Sequence, residues 1–261
     1  MFPSNGNYTL GRGRLYFDRF LPGTTTGTGQ RYFGNTPELS LTSDSESLDH
    51  YSSDEGVRQK DDTALLSLSR TGSFTTDHIS PSNLALFFLG DESVVSATAI
   101  PTGPINITSV KRGRRYQLGA SPQNPAGVRN VTGVTITSPA NLVAGVDYIL
   151  DGATGGITFS PTSSIVTDDV AITGTFASGV ASYNRVVSSS NSQIDGSLLY
   201  VGNNPRGMNF DYFWPKVTLR PDGDFALKSD EWQTLGFSFE ALKLNDQTEV
   251  VYITGRPGQG I

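Results

Sequence analysis

Two histidines, His50 and His78, are the only imidazoles in the sequence that could act as bases near neutral pH or bind a metal. Neither stands at the spacing of a zinc site or a catalytic triad. His50 follows Asp49 in a polar segment, which favours a solvated position. His78 precedes a predicted helix cap, which favours a structural hydrogen bond. The sequence also lacks the phosphate-binding, metalloprotease, nucleophile-elbow and dinucleotide-binding motifs. We therefore predict no catalytic residue, no metal site, no cofactor and no enzymatic activity.

The carboxylates give no stronger case for catalysis. A β-jelly-roll hydrolase needs two acids held at a set separation across a cleft. The acids here cluster between Ser43 and Asp62, where solvent would keep their pKa values ordinary and useless for a general acid. Asp222-Gly-Asp224 offers two ligands of a calcium loop, but the other oxygen ligands are missing and Pro221-Asp-Gly is a common turn.

The acidic segment Ser43–Asp62 lies between two stretches that alternate like β-strands, Glu38–Thr42 and Ala64–Arg70. It holds seven acidic residues against two basic ones and almost nothing apolar. Structureless loops of this length are uncommon in compact domains and are either disordered or functional. The sequence therefore predicts a long projecting loop that something outside the protomer holds in place.

The composition indicates an all-β protein. The chain has 261 residues, of which 17% are charged and 29 are glycines, and it contains no cysteine. Such a chain suits many short strands joined by turns, and it excludes disulfides and thiolate sites. A net charge of −6 disfavours tight binding to nucleic acid. No signal peptide or apolar membrane span is present, so the protein is expected to be made in a cytoplasm and to stay soluble.

Alternating and capped segments predict the individual elements. The predicted strands outside the acidic segment include Tyr8–Phe20, Gln30–Asn35, Ile105–Val110, Val131–Thr137, Val170–Phe176, Phe210–Trp214, Lys216–Arg220, Asp224–Lys228 and Thr234–Glu240. One short helix is predicted from the Ser80 cap and Pro81, through an apolar face, to Gly90. A helix of this kind covers the open face or end of a sheet.

Residues 102–179 differ in residue pattern from the rest of the chain, because short predicted strands recur there between Pro, Gly and Ser turns. We predict a discontinuous core domain of residues 1–101 and 180–261, with an inserted Ig-like or β-sandwich module at 102–179. The basic cluster Lys111–Arg115 in that module lacks interleaved aromatic residues. We interpret it as a solvated turn or a contact to an acidic neighbour, and not as a nucleic-acid site.

The order of these elements resembles the tail tube proteins, or major tail proteins, of long-tailed bacteriophages. The resemblance covers most of the chain and rests on the order of the predicted elements and on their residue patterns. It is carried by Glu38–Leu41, Leu48–Gly56, Asp77–Gly90, Gly196–Gly207, Pro215–Leu227 and Glu231–Lys243. In such proteins a tail-tube-type β-sandwich or barrel with a flanking helix assembles into hexameric rings. The strands of a ring join into a barrel around the lumen, and a long loop locks each ring to the next.

The resemblance implies a structural protein of the virion tail, the conduit for DNA ejection into the host. Its partners would be further copies of itself in stacked hexameric rings, together with the tape measure protein, the tail terminator and the distal tail protein. DNA would pass through the lumen without specific binding, no membrane would be involved, and the inserted module would lie on the tube exterior. The acidic segment then supplies the inter-ring contact through Asp44, Glu46, Leu48, Asp49, His50, Tyr51, Asp54, Glu55, Arg58, Lys60, Asp61 and Asp62.

One alternative from another class stays open at this point. The Thr- and Gly-rich strands of residues 102–179 are also compatible with a glycan-binding or adhesive β-sandwich protein. That protein would bind sugars as a discrete particle, although the module offers no obvious aromatic platform for a sugar ring.

Overall fold

The computed structural model describes residues 8–54, 56–188 and 190–257, and these residues confirm the predicted all-β fold with one short helix. The strands are β1 (Gly13–Arg19), β2 (Arg31–Tyr32), β3 (Glu38–Ser52), β4 (Gln59–Thr76), β5 (Asp91–Ala97), β6 (Ile100–Val110), β7 (Arg115–Gln117), β8 (Val131–Ser138), β9 (Tyr148–Asp151), β10 (Gly156–Phe159), β11 (Val170–Ser178), β12 (Ala181–Val187), β13 (Ile194–Gly202), β14 (Phe210–Pro221), β15 (Leu235–Ala241) and β16 (Tyr252–Gly255), and the helix is α1 (Pro81–Phe87). No helix among the described residues combines the length and hydropathy that crossing a membrane requires.

The chain divides into two compact units, residues 1–92 with 186–261 and residues 93–185. The sequence placed these junctions at 101/102 and 179/180, so the second unit begins earlier and ends later than predicted. Strands β5 and β12 pair as a two-stranded sheet, and the chain passes between the units within these two strands. The pattern of Pro and Gly turns could not reveal this pairing, because neither strand contains a turn residue that marks the junction.

The first unit is built on one antiparallel sheet in the order β2-β1-β13-β14-β15-β4-β3, with β16 beside β14. The sheet does not close into a barrel, and β2 and β3 are the ends of this strand order. The segment after β2 takes the chain from the β2 end of the sheet to the β3 end. The backbone N–H of Phe33 donates to Leu15 on β1 at 3.0 Å, and Thr76 Oγ1 on β4 donates to the carbonyl of Asn35 at 2.9 Å.

Aromatic side chains fill the core of the first unit. Strand β15 shows why, since Leu235, Phe237, Phe239 and Ala241 alternate with polar residues and all four are buried on one face. Phe74 of β4 stacks on Phe237 with ring centroids 5.2 Å apart. Burial of each such ring stabilises the fold by roughly 2–3 kcal/mol, so this face of the sheet is the principal source of the unit's stability.

Helix α1 begins where the sequence predicted. Ser80 is the N-cap, its side chain accepts the Asn83 N–H, and Pro81 occupies the first turn. The buried side differs from the predicted apolar face, because Phe88 is exposed while Asn83 is fully buried. The Asn83 amide donates to the carbonyls of Phe33 and His78, both at 2.8 Å. The helix is therefore anchored by a buried polar side chain as well as by its apolar face.

The second unit contains two three-stranded sheets, β7-β10-β9 and β6-β11-β8. They share one core, in which Ile157 and Phe159 of the first sheet pack with Ile105 and Phe176 of the second. The basic cluster lies in a turn of this unit, where Lys111 Nζ is 2.7 Å from Asp169 Oδ2. Arg112 pairs similarly with Asp168 at 3.5 Å. These acids lie within the unit itself and not in the acidic segment of the chain.

Several strand predictions are wrong in detail. Of the predicted strand Gln30–Asn35, only Arg31–Tyr32 is a strand, and the predicted strands Phe210–Trp214 and Lys216–Arg220 form the single strand β14. The first strand is shorter than Tyr8–Phe20, since β1 begins only at Gly13. Asp224–Lys228 is not a strand, because the β14–β15 pairing ends where the Asp222 N–H donates to the Gly236 carbonyl at 3.0 Å. The chain then leaves the sheet, and Phe225 on this connection packs against the helix. Alternation alone cannot distinguish such a connection from a strand.

Candidate functional site: the arm and its base

The predicted projecting loop is in fact a long β-hairpin. Strands β3 and β4 stay paired from Glu38 opposite Thr75 to Ser52 opposite Gln59. Strand β15 pairs with β4 only as far as Thr71. Beyond that residue the two strands continue as a two-stranded ribbon, which we call the arm (residues 43–70). The prediction of a loop was wrong because Ser, Asp and Glu are weak strand formers, and here the ladder of cross-strand hydrogen bonds holds them extended.

The structure places the predicted contact residues along this arm. Residues Asp44, Glu46, Leu48, Asp49, His50 and Tyr51 lie on β3, Lys60, Asp61 and Asp62 lie on β4, and Asp54 and Arg58 lie in the turn between them. Glu55 falls outside the described residues. The arm brings all the described members of the predicted site together on one element. Their proposed role in an inter-ring contact stays a prediction.

Several of these side chains pair across the strands. Lys60 Nζ lies 2.6 Å from Asp49 Oδ1, and Thr63 Oγ1 donates to the same oxygen at 3.1 Å. The hydrogen bond from Lys60 is the main cause that lowers the pKa of Asp49. The His50 side chain is 72% exposed, which agrees with its expected solvated position, and its Nδ1 lies 2.6 Å from Asp61 Oδ1. The predicted structural hydrogen bonds of His78 are made by its backbone.

The arm also exposes leucines that the acidic composition conceals. Leu39 and Phe74 face each other in the core. Leu41 follows Leu39 by two residues on the same face of the hairpin, and Leu68 lies further along that face, six residues before Phe74. Five leucines of this hairpin are 46% to 63% exposed: Leu41, Leu48, Leu65, Leu66 and Leu68. A two-stranded hairpin is marginally stable alone. Several large apolar side chains exposed on one element make the hairpin a candidate contact surface.

A groove of about 560 Å³ lies at the base of the arm. Leu39 and Leu41 form one wall, and the other carries Tyr200, Tyr212 and Trp214. The rings of Tyr212 and Trp214 stack with centroids 6.0 Å apart. Burial, followed by the neighbouring Tyr212, raises the pKa of Tyr200. The lining of this groove is about equally polar and apolar, with aromatic side chains on one wall, and its volume is comparable to that of typical ligand pockets.

Arg12 is the one charged residue among those that line this groove. Its positive charge acts on the Tyr200 hydroxyl and partly opposes the rise in the pKa of that group. Among the described residues, Arg12 has no carboxylate within 4.0 Å, and its guanidinium donates to the carbonyl of Gly11 at 2.9 Å. The groove therefore presents an uncompensated positive charge beside its aromatic wall.

A second exposed feature lies on the connection between β14 and β15. Trp232 is 94% exposed there, and Leu227 on the same connection is 77% exposed. Trp232 could not be singled out from the sequence, since a single Trp in a turn-rich stretch has no spacing pattern that points to a function. Its exposure makes it a candidate contact residue.

The described residues contain no group of three or more His, Asp or Glu side chains that could hold a metal ion. The arrangement of the arm and groove is suited to binding another macromolecule. None of the curated proteins matches this sequence. The sequence does match a protein family over residues 8–252, and the chain thus belongs to the family described as Protein of unknown function UCP028589.

Proposed function

We propose that the chain is a structural subunit that polymerises as stacked hexameric rings into the tail tube of a long-tailed bacteriophage. The observation that carries this proposal is the arm, a hairpin that extends beyond its sheet and exposes Leu48, Leu65, Leu66 and Leu68. These four side chains are 46% to 63% exposed in the subunit. Burying a leucine stabilises a contact by about 1.5–3 kcal/mol, so covering several of them in an assembly supplies a substantial driving force.

Copies of the same chain are the partners that best suit this arm. A heterologous contact that closes by rotation gives a ring, and a second contact along the axis stacks rings into a filament. A projecting arm supplies the axial contact. The open sheet also has end strands, including β3, whose outer edge has no neighbour in the strand order. Ring closure would cover such edges, which are a liability in a free subunit.

The face of the main sheet opposite the core supports a conduit for DNA. Neighbouring strands place Ser40, Ser73, Ser238 and Arg220 side by side across this face. Arg220 is paired with Glu240 at 3.6 Å, so its charge is compensated. A lumen lined by hydroxyls and compensated charges would release few counterions from DNA, and DNA would pass without adhering. We assign this face to the lumen and the second unit to the tube exterior.

Electron microscopy of negatively stained protein, combined with sedimentation velocity at several concentrations, tests the proposal. We expect rings or tubes with a central hole, and sedimentation that depends on concentration. A compact monomer at every concentration would contradict the proposed function.

A shortened variant tests the role of the arm. Asp44 faces Ser69 in the hairpin register, so residues 45–68 can be replaced by an Asn-Gly turn without changing the pairing below them. We expect this variant to fold, because the removed side chains are almost all exposed, and to form no tubes. Normal tubes from the shortened variant would show that the arm is not the axial contact.

A further inference from the structure

The tip of the arm combines an apolar side chain with negative charge. The last cross-strand pair is Ser52 opposite Gln59, and the turn beyond it presents Val57, which is 74% exposed, close to Asp54. The Arg58 guanidinium lies 5.3 Å from the centre of the Tyr51 ring, so this cation is held against strand β3 and keeps its charge. The tip therefore presents an apolar side chain in the same turn as the carboxylate of Asp54.

The groove at the base of the arm has the complementary properties. It is walled by Tyr212, Trp214 and Leu41, and its one charged lining residue is Arg12. An apolar anchor in an aromatic pocket, with opposite charges at the rim, is the usual arrangement of a binding hot spot. The acidic segment of the arm, residues 43–62, carries seven acids and two bases, so its field favours approach to a basic groove.

The two surfaces lie at opposite ends of the same element. From Leu41 in the groove to Ser52 at the tip the strand advances about 36 Å, at about 3.3 Å per residue. A paired ribbon cannot fold back on itself over that distance, so the tip cannot reach the groove of its own chain. The groove of a second copy is the acceptor that the molecule offers.

We propose that the arm tip of one copy binds in the base groove of the next copy, with Val57 against Leu41 and Tyr212 and the Asp54 carboxylate facing Arg12. This inference rests on the proposed function and identifies the axial acceptor within it. The contact is heterologous and repeats head to tail. It sets an axial repeat close to the length of the arm, about 36 Å.

The absence of cysteine from the chain makes a disulfide test direct. In the double variant Val57→Cys with Leu41→Cys, each copy can link its tip to the groove of one neighbour and its groove to the tip of another. Mild oxidation of the assembled protein should then give a ladder of covalent oligomers on a denaturing gel. Each single-cysteine variant can give at most a dimer, and the shortened variant carrying only Leu41→Cys is a further control.

The Trp232 side chain is the competing occupant of the groove, since it is the most exposed aromatic side chain of the described residues. The variant Trp232→Cys with Leu41→Cys is therefore oxidised in parallel. A ladder from this pair, with none from the Val57→Cys pair, would overturn the proposed acceptor. Tubes without a ladder from the Val57→Cys pair would also overturn it while leaving the proposed function intact. Absence of both tubes and ladder would contradict the proposed function itself.

A charge variant gives a second test in the unmodified assembly. Arg12→Glu should raise the concentration at which tubes form by about tenfold, which corresponds to roughly 1.4 kcal/mol per contact. Arg114→Glu, a change of the same charge at an exposed residue of the second unit, is the matched control. An equal effect of both variants would show that net charge, and not the groove, controls assembly, and would contradict the role of Arg12.

Discussion

Strand β4 passes through two environments. Comparing them distinguishes the residues that stabilise the subunit from those that are free to contact another molecule. Its last six residues, Thr71–Thr76, lie between β3 and β15 and place Phe74 in the core. Its first twelve residues, Gln59–Arg70, have β3 as their one neighbour and are exposed or half-exposed. The inner part stabilises the subunit, and the outer part contributes little to its stability. The outer part is therefore free to serve a contact outside the subunit.

Truncating one side chain in each environment gives the largest expected difference. Phe74→Ala removes a ring that packs on Phe33 and Phe237, and it should destabilise the subunit by about 3–5 kcal/mol. Leu65→Ala on the arm should change the free energy of unfolding by less than about 0.5 kcal/mol. Urea denaturation, at a concentration where the chain sediments as a monomer, measures both. Equal costs would mean that the arm is part of the folding unit.

A buried polar contact sharpens the same comparison. Asn83→Ala removes the amide that donates to the Phe33 and His78 carbonyls, and each carbonyl keeps one weaker donor, Thr76 Oγ1 at 3.3 Å and the Ser80 N–H at 3.1 Å. We expect a loss of about 2 kcal/mol by urea denaturation. The control is His78→Ala, which keeps the backbone carbonyl and removes an exposed ring. A comparable loss in the control would show that the loop before α1, and not the Asn83 amide, is responsible.

An ion pair of intermediate exposure should give an intermediate effect. Arg256 donates to both carboxylate oxygens of Asp211, at 2.8 and 3.2 Å, and these bonds are the main cause that lowers the pKa of Asp211. Asp211→Asn should lower the Tm at pH 7 by about 2 °C. A lowered pKa in the folded state gives stability that is present above the ordinary value of about 3.9 and is lost as the pH falls through the folded value.

The difference in Tm between the native chain and Asp211→Asn should therefore shrink below about pH 4. Thermal melts monitored by circular dichroism between pH 3 and pH 7 would follow it. A difference that stays constant across this range would mean that the substitution acts through packing and not through the carboxylate charge.

The exposed pair on the arm should give the smallest effect. Asp49 and Lys60 are 2.6 Å apart, but solvent screens pairs of this kind and their net contribution to stability is small. Asp49→Asn should leave the Tm unchanged within error at pH 7. A decrease as large as that of Asp211→Asn would contradict the conclusion that the arm contributes little to the stability of the subunit.

The sequence predicted the features that depend on local pattern. The β-rich composition, the Ser80 and Pro81 start of the helix and the alternating strand β15 all follow from residue types and spacing. The pairing of the arm did not follow, because its residues favour loops and only the cross-strand register keeps them extended. The fully buried Asn83 was also missed, since a polar residue in a first helical turn is ordinarily solvated.

The groove could not be predicted from the sequence, for a different reason. Its walls come from Arg12, Leu41 and Trp214, which lie far apart in the chain. No spacing rule connects such positions, and only the order of the strands brings them together. The exposure of Trp232 likewise depends on where the β14–β15 pairing ends, which composition does not specify.

The pairing of β3 with β4 slips twice within the arm, between Glu46 and Ser47 and between His50 and Tyr51. Such irregularities strengthen the local twist, and together with charged side chains they prevent a foreign strand from aligning along an open edge. In the proposed tube, the same irregularities would favour the specific contact of the arm over unspecific pairing between strand edges. Free subunits could then reach a high concentration without aggregating.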